Sequence, residues 1–459
     1  YMEDMKNGKR SSFSGKLGYV LAAAGASVGL GNIWRFPYLA AKYGGGIFLI
    51  IYIVLALTFG YTMIVAETAI GRMTRKSPVG AFKSFGKKKW LSFGGWINAV
   101  IPVLIVPYYS VIGGWVIKYL VEYFRGNAKL LAEDGYFTDF ISNGVSTELC
   151  FVAFCAFTLI IIFAGVQNGI ERVSKIMMPI LVVLSVIIAV YSVTRPGALA
   201  GVKYFLVPNV KNFSWMTVVA AMGQMFYSLS IAMGILITFG SYMKKDTAIE
   251  DSTRNVEIFD TGIAIMAGLM IIPAVFAFSG GDPDTLQAGP SLMFITIPKV
   301  FQNMGFGTVI GIVFFVLVLF AAVTSSIALT ESAVSTFEDE LGWGRKKATV
   351  LVGVIMLALG SLSSLGYGPL AGIKIIGMQF LDLFDFLTNS VMMPIAALLT
   401  SLLVSRVVGI DKIEEEIIHG ESAFRRKKVF VVMIKYLCPV FAIIILLSSV
   451  ANALGWIKM

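Results

Sequence analysis

The chain is nearly devoid of histidine and poor in charge. Its single histidine, His419, lies in a polar stretch. That excludes a histidine-based metal centre and a Ser-His-Asp triad within the apolar runs. The three cysteines, Cys150, Cys155 and Cys438, sit in apolar runs at spacings that match neither a metal site nor a disulfide framework. Only 14% of the residues are charged, where a soluble domain carries roughly 25%. What is present in excess is apolar: 57% of 459 residues, with a mean hydropathy of +0.82. Apolar runs recur from end to end, each near the ~20 residues that cross a bilayer. The expected fold class is an all-α polytopic membrane protein, with the lipid bilayer as its surroundings.

The runs predict eleven crossings: 17–39, 46–71, 92–124, 148–165, 172–193, 214–242, 256–279, 302–337, 347–363, 375–404 and 429–452. The net charge of +10 is spread over loops, which reads as orientation by the positive-inside rule and not as nucleic-acid binding. Loops after the even-numbered crossings hold most of the Lys and Arg, as in Lys87-Lys88-Lys89 and Arg425-Arg426-Lys427-Lys428. The N-terminus is therefore expected in the cytoplasm of a cell-membrane protein and the C-terminus outside it. The loop 280–301, with Asp282-Pro283-Asp284, is expected to cap a vestibule.

Two crossings are interrupted. The first contains Gly25-Ala-Ser-Val-Gly-Leu-Gly-Asn-Ile-Trp-Arg-Phe-Pro37. Glycines, an Asn, a Pro and the intramembrane Arg35 in one apolar run predict a helix unwound in mid-membrane, facing protein or a water-filled cavity. The sixth contains Ser228-Leu-Ser-Ile-Ala-Met-Gly234, which fits either an opened helix or close helix packing. Five helices separate one interruption from the next, an odd repeat that inverts topology. Paired interruptions in corresponding halves point to a transporter binding site. The expected organisation is one transporter domain, 1–459, with inverted repeats at 17–193 and 214–404 and an added helix at 429–452.

The polar residues inside the runs suggest what is bound. Thr324, Ser325 and Ser326 are consecutive in the eighth crossing. They either back-bond to their own helix or join unwound carbonyls near Gly25 and Val28 as neutral oxygen ligands for a monovalent cation. Asn32 and Ser228 add oxygens, and Asp260 is an intramembrane carboxylate that a cation would pair. Half-helix ends of opposite polarity suit a zwitterion. Tyr109 either packs or donates to a carboxylate. Glu67 is a further buried charge, read as support for the sixth crossing. Arg35 with Asp385, and Arg10 with Asp339, can pair at opposite ends as alternating gates.

The run Gly29-Leu-Gly-Asn-Ile-Trp-Arg-Phe-Pro-Tyr38, with Gly44-Gly-Gly46, Glu67-Thr-Ala-Ile-Gly-Arg72, Tyr108-Tyr109, Gly223-Gln224, Thr324-Ser-Ser326 and Glu338-Asp-Glu340, resembles the neurotransmitter:sodium symporter family. The short loops resemble a bacterial member. That family is itself among the examples behind the paired-interruption rule, so the two readings are not independent. The resemblance implies a sodium-coupled amino-acid symporter with Na+ as coupling ion, no organic cofactor and no enzymatic activity, and leaves an oligomer open. It implies a first sodium site of Asn32, Ser228, Asp260 and the Ser27 carbonyl. The second would be the carbonyls of Gly25, Val28 and Ala321 with the Thr324 and Ser325 hydroxyls. The implied substrate site comprises Ser27, Gly29, Gly31, Ile105, Tyr109, Tyr227, Ser228, Ser230, Met233, Ser325 and Leu329. Arg35–Asp385 matches the outer gate and Arg10–Asp339 the inner one.

Three departures refine the expectation. Asp260 stands where the family commonly has Asn, and Ala264 where chloride-dependent relatives carry Ser, so transport should not need chloride. Gly29 replaces the Asp of monoamine transporters, which favours a substrate with its own carboxylate. Ala232-Met233-Gly234 replaces a two-glycine turn. The flexible Met233, with Ile105 and Leu329, suggests hydrophobic substrates, including large and aromatic ones. A proton-coupled amino-acid transporter on the same scaffold and an ion channel are the alternatives. Neutral ligands that need no titration argue against the first, and the lack of a repeated filter motif against the second.

Overall fold

Apolar runs in lipid satisfy their backbone only by forming helices or closed barrels. The computed structural model describes residues 10–281 and 290–458, so Asp282, Pro283 and Asp284 of the expected vestibule cap lie outside the described residues. These described residues are overwhelmingly helical, with one isolated β-bridge between Ile375 and Met378. Broken α1 comprises Lys16–Ser27 and Gly31–Lys42, bent by 55°. It is followed by α2 (Gly46–Thr74), α3 (Lys89–Phe124), α4 (Gly144–Phe163) and α5 (Val166–Val193). Then comes broken α6, Trp215–Ser228 with Ile235–Ser241. The rest are α7 (Ile249–Ser279), α8 (Gly307–Leu341), α9 (Arg345–Leu365), α10 (Phe380–Val408) and α11 (Lys427–Ala453). Among the described residues, nine of these helices, and α1 taken as one bent span, are long and apolar enough to cross a membrane. The two short pieces of α6 lie between α5 and α7 in the expected place, so the helix order matches the expectation, with α1 and α6 discontinuous.

The boundaries differ where polar residues continue a helix or local structure interrupts it. α7 starts at Ile249 and not at 256, because its first turns carry Glu250, Asp251 and Arg254, which hide the helix from an apolar count. α8 starts at Gly307, because Ile297–Asn303 forms its own short helix. α10 starts at Phe380, after turns closed by the Ile375–Met378 bridge.

The first half of α1 lies in the middle, against α5, α7 and α8. Its helix ends at Ser27 and resumes at Leu30, leaving Val28 and Gly29 non-helical. The second break, Leu229 to Gly234, settles the choice at α6 in favour of an opened helix. Ser230 (φ 55°) and Ala232 (φ 59°) adopt left-handed backbone there, at about 1–2 kcal/mol per non-glycine residue. Specific bonds offset this. The Ser230 hydroxyl donates to Ala26 O of α1 at 2.6 Å. The Ala232 N–H donates to the Glu67 carboxylate of α2 at 3.1 and 3.2 Å. Glu67 is fully buried, so its role as support for α6 is borne out.

The second half of α6 packs tightly along α2 through two glycines. A Cβ at Gly71 would lie 2.0 Å from Ile237 O, and one at Gly240 would lie 2.4 Å from Thr68 O. Backbone cannot give way as a side chain does. Gly71→Ala or Gly240→Ala is expected to destabilise the fold by about 1–3 kcal/mol, the usual scale of overpacking. The check is a lower melting temperature of the detergent-solubilised protein; an unchanged value would contradict this packing.

Candidate functional site

Non-helical backbone at mid-membrane leaves amide and carbonyl groups free to face a cavity. Between the breaks of α1 and α6 lies a small cavity, about 40 Å³. All eleven residues expected around a substrate line it: Ser27, Gly29, Gly31, Ile105, Tyr109, Tyr227, Ser228, Ser230, Met233, Ser325 and Leu329. Ala26, Leu30, Asn32 and Ile235 complete the wall. The wall is partly polar: the Leu30 N–H donates to the Tyr109 hydroxyl at 3.3 Å. Ile105, Met233, Ile235 and Leu329 supply apolar side chains. Glycine is required by close approach. A Cβ at Gly29 would lie 2.8 Å from Ser325 Oγ and 3.1 Å from the Tyr109 hydroxyl, and one at Gly31 would lie 2.5 Å from the Tyr227 ring.

Two oxygen clusters flank the cavity. In the first, the Ser228 hydroxyl is shared between Asp260 Oδ1 at 2.6 Å and Asn32 Oδ1 at 3.1 Å. Asn32 Nδ2 donates to Asp260 Oδ1 at 3.3 Å. Asp260 is completely buried, and its second oxygen accepts from the Tyr52 hydroxyl of α2 at 2.5 Å. Ser27 lies at the cavity wall, its hydroxyl back-bonded to Ala23 O. In the second cluster, the Ser325 hydroxyl reaches Gly25 O at 2.9 Å and Val28 O at 3.2 Å. Thr324 closes on Gly25, and its hydroxyl donates to Phe320 O at 2.9 Å and Ala321 O at 3.2 Å. The bland and the functional readings of the hydroxyls therefore hold for different residues. Thr324 back-bonds to its own helix, while Ser325 crosses to the unwound carbonyls. Both clusters consist of oxygen ligands, and the second has no carboxylate. Among the described residues no group of three or more His, Cys, Asp or Glu is placed to hold a metal ion. Such a donor set suits a hard monovalent cation better than a transition metal.

The two ends of the molecule differ. At the end rich in Lys and Arg, Arg10 meets Asp339 at 2.5 Å. Arg10 also donates to Ser241 and Ser335, both at 2.9 Å, and lies over the Tyr242 ring. Phe13, 1% exposed, plugs this end against Tyr19, Phe239 and Tyr242. The opposite end opens into a larger cavity of about 490 Å³ that Arg35 and Asp385 both line. Arg35 and Asp385 make no ion pair within 4 Å there. Instead, Arg35 lies 5.1 Å from the Tyr227 ring centre. Asp385 accepts from the Tyr108 hydroxyl at 3.2 Å and from Asn389 Nδ2 at 2.5 Å. The expected pair is thus near but unmade, and both donors bond the one oxygen Oδ1.

Sequence reasoning missed Tyr52 and Asn389. Tyr52 sits in an unbroken apolar run, where nothing separates a packing tyrosine from one bonded to a carboxylate. Asn389 is four residues after Asp385 on α10, a helical spacing that pairs them and was there to be noticed.

The profile of the sodium:neurotransmitter symporter family matches residues 10–138 and 138–456. The uncharacterized sodium-dependent transporter YhdH of Bacillus subtilis is 34% identical over 450 residues, 97% of this chain and 99% of that protein. The human sodium- and chloride-dependent GABA transporter 2 is 26% identical over 474 residues, 89% of this chain and 75% of that protein. The crystal structure of MhsT in complex with L-phenylalanine superposes with a TM-score of 0.85 at 35% identity, covering 96% of this chain and 100% of MhsT. With the broken α1 and α6 and the oxygen clusters between them, this chain belongs to the sodium:neurotransmitter symporter family and is a multi-pass membrane transporter, not an enzyme.

Proposed function

We propose that the protein is a sodium-coupled symporter that imports hydrophobic L-amino acids, aromatic ones included, by alternating access and without chloride. The observation that carries this is the cavity between the two breaks, polar at Tyr109 and apolar at Met233, Ile105 and Leu329, with an oxygen cluster on each side. The likeness to MhsT, whose structure holds L-phenylalanine, supports the substrate class.

In this reading Asn32, Ser228, Asp260 and the Ser27 carbonyl hold one sodium. The carbonyls of Gly25, Val28 and Ala321 with Thr324 and Ser325 hold a second. Tyr109 donates to the substrate carboxylate, and the unwound carbonyls of α6 near Tyr227 and Ser230 take its ammonium. Tyr227 closes over the bound substrate, with Gly29 and Gly31 leaving room for it. Repeats 17–193 and 214–404 rock about the site, and 429–452 lies outside them. The Lys- and Arg-rich end faces the cytoplasm with the N-terminus, and the C-terminus faces outward. The arrangement of the ends then corresponds to a carrier shut toward the cytoplasm and open outward. Sodium drives the cycle only through its unequal affinity for the two arrangements, and it bridges α1 to α8 in the outward one.

Asp260 supplies a fixed negative charge beside the first sodium, where a mobile anion would otherwise be needed. Uptake into proteoliposomes should therefore require sodium and persist when chloride is replaced by gluconate; a chloride requirement would refute this. Asp260→Asn should raise the half-saturating sodium concentration by about tenfold or more, since a charged partner contributes about 1.5–3 kcal/mol.

Competition binding on the purified protein should rank leucine, phenylalanine and tryptophan far above glutamate. A preference for glutamate would sink the proposed substrate class.

Gly29→Asp would place a carboxylate against Tyr109 and Ser325, where the substrate carboxylate is proposed to sit. Substrate affinity should fall at least about tenfold, as steric crowding and like-charge repulsion add. Retained affinity would remove the carboxylate from this end of the cavity.

A further inference from the structure

Beyond the two oxygen clusters, α7 carries two more buried carboxylates that no proposed role uses. Glu250, Glu257 and Asp260 are all buried, and at 3.6 residues per turn they fall within about 80° of one another on the helix. Two of the three are held by tyrosines of α2: Asp260 by Tyr52 and Glu250 by Tyr61, at 2.5 and 2.9 Å. Glu257 is held differently. Its carboxylate takes Arg426, which precedes α11, at 3.2 to 3.5 Å. The same guanidinium lies 3.7 Å from the centre of the Tyr61 ring. An intramembrane carboxylate is costly without such a partner.

The segment before α11 grips α7 at a second level. The Glu421 carboxylate accepts the N–H groups of Glu250 and Asp251 at 3.3 and 3.0 Å, in the helix's first turn. The Arg426 N–H donates to Glu250 Oε1 at 3.2 Å. One stretch of chain therefore fixes α7 at its first and third turns, and Asp260 lies only about 4.5 Å further along the axis, three residues at ~1.5 Å each.

We propose that Arg426 is a positioning residue for the Asp260 cluster. By clamping Glu257 against the Tyr61 ring it sets the rotation of α7 about its own axis, and hence the direction in which Asp260 points. The inference rests on the proposed reading of Asp260 as a sodium ligand. A guanidinium is needed because it pairs in the plane of a carboxylate while stacking on an aromatic face, which an ammonium does not reproduce.

The test is sodium-dependent uptake in proteoliposomes with Arg426→Lys, Arg426→Gln, Glu257→Gln and the double variant Arg426→Gln/Glu257→Gln, beside Asp260→Asn. Each single variant should raise the half-saturating sodium concentration by about tenfold, a shift of about 1.4 kcal/mol. The substrate half-saturation at saturating sodium should stay within about twofold. The double variant should be no worse than Arg426→Gln, because both changes break one clamp. It also removes both charges of the pair together, so it tests the idea even where a single variant fails to fold. If Asp260→Asn raises the sodium requirement while folded Arg426 variants and the double variant keep the wild-type value, the clamp is overturned and the sodium reading stands. Equal losses of sodium and substrate affinity would mark Arg426 as a general structural staple and also overturn it. If Asp260→Asn itself changes nothing, the sodium reading fails, and the clamp with it.

Discussion

Free backbone in the middle of an apolar bundle has neither water nor lipid to bond, and each buried N–H or C=O left alone costs several kcal/mol. The rest of this structure follows from how the two breaks answer that cost. The carbonyl of Ala26 takes Ser230 from the other break. The carbonyls of Gly25 and Val28 take Ser325 from α8. The N–H of Leu30 takes Tyr109 from α3, and that of Ala232 takes Glu67 from α2. Neither break is stable without the other, so α1 and α6 must lie side by side. α2, α3 and α8 must surround them to supply the remaining partners. The cavity is what remains where no side chain fills the gap.

The same constraint governs charge. Asp260 sits in complete burial with three neutral partners, Asn32, Ser228 and Tyr52. Neutral donors stabilise a carboxylate but do not cancel its charge. In the proposed reading a sodium ion completes the set, and the carboxylate in turn removes the need for a second anion. Among the described residues, several other buried charges are cancelled by ion pairs. Arg72, with no exposure, is closed by Glu416 and three carbonyls. Arg345 forks onto Glu331. Asp260 shares with Glu67 and Glu250 the lack of a paired cationic side chain, but it alone of the three bonds to Asn32 and Ser228 of the cavity wall, where an ion can come and go.

Much of this was legible in the sequence, for a physical reason. Breaks in apolar runs are conspicuous where glycines cluster with asparagine and arginine, because charged and strongly polar residues are rare at that depth. Position along the chain then paired the two interruptions. The cavity wall was readable because the motif residues are contiguous with those breaks. What was hidden were contacts made by ordinary members of apolar helices. Tyr52 and the Phe13 plug carry no mark that distinguishes a bonding or sealing ring from a packing one. The early start of α7 was hidden for the opposite reason, as its first turns are charged and are bonded by Lys16, Glu421 and Arg426 from distant parts of the chain. The Arg35–Asp385 pair shows a third limit. Sequence places both groups at one end, but whether they touch depends on conformation.

That last point bears on how the molecule changes shape. Asp385 is not left wanting when Arg35 is away, since Tyr108 and Asn389 occupy it. Arg35 likewise rests on the face of Tyr227. Each partner has an alternative contact at the wall of the same cavity, so making or breaking this pair exchanges bonds and adds few. The other end offers no such exchange. Releasing Arg10 gives up Asp339, Ser241 and Ser335 together, and Phe13 must leave a sealed aromatic pocket. Ser14 is also tied to the buried Glu171 of α5 by its N–H and its hydroxyl. The first half of α1 hangs from this knot and also supplies the carbonyls that meet Ser325. Loosening it therefore disturbs the second oxygen cluster directly. In the proposed cycle, an ion in that cluster and the knot at the N-terminal end are two grips on one helix, and the carrier opens inward only when both let go.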